Sequence, residues 1–122
     1  MILADTSVWV EHFRHGSDEL RSQLGKRNVV MHPFIVAELA LGSLRDRAKT
    51  LAFLDWLPRV PIARLDEVRQ LVEKRTLYGQ GFGLIDAHLI ASCLITPPTV
   101  LWTGDKRLRH IARMLGLEAD LP

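Results

Sequence analysis

The sequence predicts an α/β fold, a three-layer domain with a mostly parallel central sheet flanked by helices. Three observations carry that prediction. Met1 to Ala4, Val29 to Met31 and Val100 to Trp102 are apolar runs short enough to be buried strands rather than helices. Each is followed by residues at helical spacing, and strands alternating with helices favour a layered, parallel arrangement. No repeat, linker or low-complexity tract interrupts the 122 residues, so 1–122 reads as a single domain, long enough to bury a core without staples.

The elements follow in order. Met1 to Ala4 forms the first strand, with Asp5 at its C-terminal end. Thr6 and Ser7 offer N-cap hydroxyls for a helix with Val8, Trp9 and Phe13 on its inner face. Ser17-Asp18-Glu19 opens a second helix, with Leu20 and Leu24 one turn apart and Gly25 near its end. After the strand at Val29, Pro33 falls in the first turn of a helix running from Phe34 to Leu41 and stopped by Gly42. Asp46 or a neighbour opens a helix marked by Leu51, Leu54 and Leu57 and ended by Pro58. Val60-Pro61-Ile62 is at most an edge strand, since proline cannot donate to a ladder. Asp66 is expected to cap a helix carrying Val68, Leu71, Val72 and Arg75. Gly79 to Gly83 is a flexible break before a helix from Leu84 to Leu94, and Pro97-Pro98 closes the connection. The strand Val100 to Trp102 turns through Thr103-Gly104-Asp105 into a last helix, Lys106 to Leu115, finished by Gly116.

Composition narrows the function classes. Cys93 stands alone, which excludes an intrachain disulfide and suits a reducing cytosol, and a cytoplasmic location is expected. Asp5, Glu11, His12 and Arg14 break any signal-like apolar run, and no stretch approaches a membrane span. Sixteen Lys and Arg face fourteen Asp and Glu. If four of the acids share one pocket, the remaining surface carries an excess of six positive charges, a distribution suited to guiding a polyanion to a metal. An ordinary mixed surface is the plainer reading of the same numbers.

Four carboxylates occupy uncomfortable places: Asp5, Glu38, Asp86 and Asp105 interrupt or follow apolar stretches. Asp5 and Asp105 fall at the carboxyl ends of strands, where open parallel sheets bind ligands. Asp86 sits in a first helical turn after the glycine loop, and Glu38 is mid-helix, so both can reach the same edge. Gathering that much negative charge is inexpensive only around a divalent cation. Hard oxygen donors without paired Cys or His suit Mg²⁺ or Mn²⁺ rather than zinc. Each acid also has a structural reading: caps for Asp5 and Asp105, a helix dipole for Asp86, an arginine partner for Glu38. Together those readings leave Glu38 poorly explained.

The remaining features are less informative. The glycine loop lacks dinucleotide-fingerprint spacing. His88 falls two residues after Asp86, which separates the pair around a helix, and His12, His15, His32 and His110 form no ligand set. Cys93 and Trp102 read as core.

The segments Ile2-Leu3-Ala4-Asp5-Thr6-Ser7-Val8-Trp9, Val36-Ala37-Glu38-Leu39, Asp86-Ala87-His88-Leu89-Ile90-Ala91 and Leu101-Trp102-Thr103-Gly104-Asp105-Lys106-Arg107 resemble the PIN-domain ribonucleases. More narrowly, they resemble VapC toxins of bacterial toxin-antitoxin pairs, over the full chain and in the expected order. The resemblance implies a PIN-like fold and a metal-dependent endoribonuclease with Asp5, Glu38, Asp86 and Asp105 lining the site. Asp5 and Asp86, then Glu38, would be direct ligands of Mg²⁺ (or Mn²⁺), with Asp105 acting through water. Ser7 and Thr103 match hydroxyl positions that hold the carboxylates or waters. The implied chemistry is attack by metal-activated water on an RNA phosphodiester, leaving a 5′-phosphate and a 3′-hydroxyl. It further implies a cognate VapB-type antitoxin that plugs the acidic groove, and toxin homodimers. Lys106, Arg107 and Arg109 stand beside Asp105 as phosphate contacts or as a solvated helix face.

Two other classes compete. A flavodoxin-like phosphoacceptor domain also holds Mg²⁺ with strand-end acids, but it requires adjacent early acids and a mid-chain acceptor Asp, and neither is present. A catalytically silent binding module would keep the pocket without cutting RNA.

Overall fold

The computed structural model describes residues 1–122. Its three strands are β1 (Ile2–Ala4), β2 (Val29–Val30) and β3 (Val100–Trp102), all parallel, in the order β2-β1-β3. Leu3 of the central strand pairs with Val30 on one side and Leu101 on the other, and it is fully buried. Two single-residue bridges widen the sheet. Met31 pairs with Arg59 beyond β2, and Leu101 pairs with Glu118 beyond β3. The expected edge strand at Val60-Pro61-Ile62 is thus reduced to one bridge at Arg59, because Pro61 has no N–H to extend the ladder. The ribbon around Glu118 had no sequence signature, yet Leu101 N–H donates to Leu117 O at 2.6 Å and Ala119 N–H to Leu101 O at 2.9 Å.

Seven helices surround this sheet in a three-layer α/β arrangement: α1 (Thr6–His15), α2 (Asp18–Gly25), α3 (Pro33–Ala40), α4 (Arg47–Trp56), α5 (Leu65–Lys74), α6 (Leu84–Ile95) and α7 (Lys106–Met114). α1 packs on α3 and α3 on α4, while α5 packs on α6. The core runs through nearly every element, with Leu3, Trp9, Leu20, Ile35, Leu54, Ile90, Leu101 and Ile111 almost wholly buried. Full burial of each such aliphatic side chain contributes about 1.5–3 kcal/mol before chain entropy is subtracted. Cys93 and Trp102 are buried as expected. No helix is long and apolar enough to cross a membrane.

Helix entries depart from expectation in two places, α1 and α5. At α1 the cap is Asp5, which accepts Val8 N–H at 3.2 Å; Thr6 and Ser7 direct their hydroxyls to carboxylates instead. At α5 the N-cap position is Arg64 rather than Asp66. Glu67 reaches back to Arg64 N–H at 2.9 Å, and Asp66 binds the Arg64 guanidinium in the first turn. At α4 Asp46 does precede the helix, but with left-handed backbone (φ 47°) and no side-chain cap bond. α2 starts as expected, Ser17 Oγ accepting Leu20 N–H at 3.1 Å. α3 is capped by His32, whose Nδ1 accepts Phe34 N–H at 3.0 Å ahead of Pro33 in the first turn.

Candidate active site

Parallel pairing of β1 and β3 brings their C-terminal ends side by side, and Asp5 N–H donates to Trp102 O at 2.9 Å. Asp5, 5% exposed, is therefore set against the turn Thr103-Gly104-Asp105. Its Oδ1 accepts the Ser7 hydroxyl at 2.5 Å as well as Val8 N–H, and its Oδ2 accepts the Thr103 hydroxyl. Ser7 Oγ in turn accepts Gly104 N–H at 2.9 Å, and Thr103 Oγ1 accepts Asp105 N–H at 3.0 Å. Ser7 and Thr103 thus tie the two strand ends into one polar network around Asp5. Burial raises the Asp5 carboxyl above the usual range, only partly offset by the hydrogen bonds from Ser7, Thr103 and Val8.

Asp105 caps α7, its Oδ1 accepting Arg107 N–H at 2.8 Å and Leu108 N–H at 3.3 Å, which leaves Oδ2 without a hydrogen bond. Glu38 rises from α3, held by the Thr6 hydroxyl at 2.6 Å to Oε1. Asp86 lies in the first turn of α6, its Oδ2 reached only weakly by Gly83 N–H at 3.5 Å. Its pKa is raised chiefly by burial. Gly83 N–H lowers it, and the negative charges of Asp105, Asp5 and Glu38 raise it further. The fold therefore brings Asp105, Asp5 and Glu38 within electrostatic reach of Asp86 at the carboxyl edge of the sheet.

No cation neutralises them. The ion pairs of the chain, Arg21–Asp18, Arg59–Asp55, Arg64 with Asp66 and Glu67, and Arg113–Glu118, all lie elsewhere. No three of the acids stand close enough to enclose an ion together, so the arrangement is a convergence of carboxylates rather than a closed cage. The donor set nevertheless fits a hard divalent ion. Its oxygens lack counter-charges, and Mg²⁺ ordinarily takes one or two direct carboxylates and completes its shell with water.

The basic residues beside Asp105 differ in occupation. Arg109 Nη2 donates to Thr103 O at 2.8 Å and braces the turn. Arg107 Nη1 donates to Gly81 O at 3.1 Å, linking α7 to the loop before Asp86, whereas Lys106 makes no hydrogen bond or ion pair. His88 is buried away from the acids, against Phe34 and His32. Sequence reasoning missed Thr6 as the group that holds Glu38; a hydroxyl directly after a strand-end acid was the available signal.

A parallel sheet ending in paired strand-end acids, with two further acids delivered by helices, defines the PIN class. The chain belongs to the PIN domain family, whose sequence profile matches residues 2–114. Within that family it is 44% identical over 109 residues to Ribonuclease VapC32 of Mycobacterium tuberculosis, in strains H37Rv and CDC 1551. The alignment covers 89% of this chain and 88% of the relative.

Proposed function

We propose that this chain is a VapC-type toxin: a Mg²⁺-dependent endoribonuclease, formed by residues 1–122 as one PIN domain, that acts in the cytoplasm and is inhibited by a cognate VapB-type antitoxin. The observation that carries the reading is the convergence of Asp5, Glu38, Asp86 and Asp105 without a counter-ion, in a PIN domain closely similar to a protein named as a VapC ribonuclease. Family membership also sets the flavodoxin-like alternative aside.

Asp5 and Asp86 would hold Mg²⁺ or Mn²⁺ directly, while Glu38, the third ligand the family resemblance implies, and Asp105, by its free Oδ2, would bind the ion's water shell, since no three of the acids stand close enough to enclose an ion together. An ion held there would supply charge stabilisation at the phosphoryl oxygens and a lowered pKa for the attacking water. The chain's own residues do the rest. Ser7 and Thr103 fix the Asp5 carboxylate by donating to its two oxygens, so it needs no reorganisation when the phosphate arrives. Thr6 orients Glu38, and Arg109 keeps the Thr103 turn in place. Lys106 is free to meet a phosphate, and Arg107 presents its guanidinium at the same rim while bound to Gly81 O. A homodimer is the proposed resting assembly of the toxin.

The test is incubation of the purified chain with total RNA under Mg²⁺, Mn²⁺ or EDTA, with mapping of new 5′ ends. Metal-dependent cuts carrying 5′-phosphates, lost in Asp86→Asn, support the reading; no cleavage with either ion favours the silent module.

A further inference from the structure

Beside the acids, and sharing one wall with them, lies an open groove of about 840 Å³ between α1, α3 and the connection from α3 to α4. Thr6 and Glu38 belong to its lining, together with Phe13, Arg14, Arg45 and Asp46. Neither arginine has a carboxylate within ion-pair distance, and both are exposed. Phe13, 41% exposed, is steadied by Trp9, ring centroids 5.8 Å apart. We propose that this groove binds the nucleotide flanking the scissile phosphodiester, Arg14 and Arg45 holding its phosphate and Phe13 stacking on its base.

The proposal rests on the ribonuclease reading and extends it to a substrate-positioning subsite. Two unpaired guanidinium groups in one concavity are placed to bind a phosphate, since planar N–H forks match phosphate oxygens. An exposed aromatic ring supplies the stacking platform that single-stranded RNA uses irrespective of sequence. The shared wall matters most: a strand whose scissile phosphate sits at Glu38 and Asp86 must pass its neighbouring nucleotide along an adjoining surface. An apolar helix of a protein partner fits less well, because only four of the twelve lining residues are hydrophobic.

The experiment compares the full chain with Arg14→Gln/Arg45→Gln, Phe13→Leu and, as a remote control on α5, Arg69→Gln. Affinity for a labelled single-stranded oligoribonucleotide is read by anisotropy in EDTA across a salt series, and KM is read under Mg²⁺, with melting curves to check folding. The double variant is expected to weaken binding by roughly tenfold or more and to flatten the log-affinity against log-salt slope by about 0.7, the value for one phosphate left unneutralised on a single strand. Phe13→Leu is expected to weaken binding by about fivefold or more, and Arg69→Gln to change neither quantity. If the parent chain cuts RNA while the folded double variant keeps its affinity, salt slope and KM, the groove proposal falls and the nuclease reading stands. If the parent neither binds nor cuts RNA, both fall. Unchanged RNA affinity with lost antitoxin inhibition or an altered oligomeric state would make the groove a protein-docking surface and overturn the proposal.

Discussion

Thr6 Oγ1 donates to Glu38 Oε1 at 2.6 Å, so the first residue of α1 grips the middle of α3 from 32 positions away. Hydrogen bonds to charged acceptors contribute about 1.5–3 kcal/mol, and this half-buried one falls toward the low end. Thr6→Val keeps the side-chain shape and removes the bond. Stability is expected to fall by about 1–2 kcal/mol in urea unfolding, and RNA cleavage by about tenfold, equivalent to roughly 1.4 kcal/mol of transition-state stabilisation. Thr6→Ser, which keeps the hydroxyl, should restore most of the activity.

Asp86 and Asp5 predict opposite stability effects. Asp86 carries a charge that burial disfavours and that Asp105, Asp5 and Glu38 repel, while it receives only one long hydrogen bond. In metal-free buffer at neutral pH, Asp86→Asn relieves that repulsion, and its melting temperature should rise above that of the parent as cleavage disappears. Asp5→Asn is also expected to abolish cleavage, but it gives up acceptor capacity used by Ser7, Thr103 and Val8, so it should melt below the parent.

Divalent ions should stabilise the fold through the same acids. A ligand at a hundredfold excess over its dissociation constant adds about 2.7 kcal/mol when it binds only the native state. Titration of Mg²⁺ or Mn²⁺ is expected to raise the melting temperature of the parent progressively, with Mn²⁺ acting at lower concentration. Asp86→Asn should lose most of this response, whereas Arg69→Gln should retain it. A parent chain indifferent to both ions would contradict the metal assignment.

His32 gives the fold an acid sensitivity of its own. The imidazole is fully buried at the cap of α3, and burial, then the charges of His88 and Arg59, lower its pKa from 6.5 to about 4. Between those values the unfolded chain binds a proton that the folded chain does not, so this contribution is lost as pH falls from 6.5 toward 4. The interval is equivalent to about 3 kcal/mol. Asp5 and Asp86 act in the opposite sense. Their raised pKa values make the fold bind protons that the unfolded chain has released, so their contribution is lost as pH rises through the folded values. Urea titrations of the parent and His32→Asn, which keeps a capping side chain, should show a shallower loss of stability in the variant between pH 6.5 and 4.

Much of this arrangement was legible because strand-end position is encoded locally. Ile2-Leu3-Ala4-Asp5 and Leu101-Trp102-Thr103-Gly104-Asp105 each read as a short buried run stopped by small or acidic residues, and both carboxylates lie at the carboxyl edge. Glu38 stood out as a charge in an otherwise apolar helix. The hidden parts depend on tertiary context. The ribbon at Leu117-Glu118-Ala119 is recruited by the edge of β3 and has no alternating pattern of its own. The start of α5 went to Arg64 because Glu67, not Asp66, reaches back to the free N–H, a choice decided by side-chain length within one turn. The spacing of the four acids is set by how α3 and α6 pack on the sheet, so a convergence could be anticipated while its open geometry could not.

Gly81 and Arg107 make the loop before Asp86 a testable part of the site. Gly81 adopts φ +80°, and a Cβ there would lie 2.8 Å from Arg107 Nη1, the atom that donates to Gly81 O. Gly81→Ala therefore combines left-handed strain of about 1–2 kcal/mol with displacement of the guanidinium. Arg107→Lys keeps the positive charge but gives up the planar fork that reaches the carbonyl. If the link positions Asp86, both substitutions should lower kcat more than they raise KM, since the carboxylate is misplaced whether or not RNA is bound. If Arg107 serves instead as a phosphate contact, Arg107→Lys should change KM and the salt dependence while leaving kcat nearly intact, and Gly81→Ala should resemble it only as far as it moves the guanidinium. Steady-state cleavage of one defined oligoribonucleotide at two salt concentrations separates the two roles.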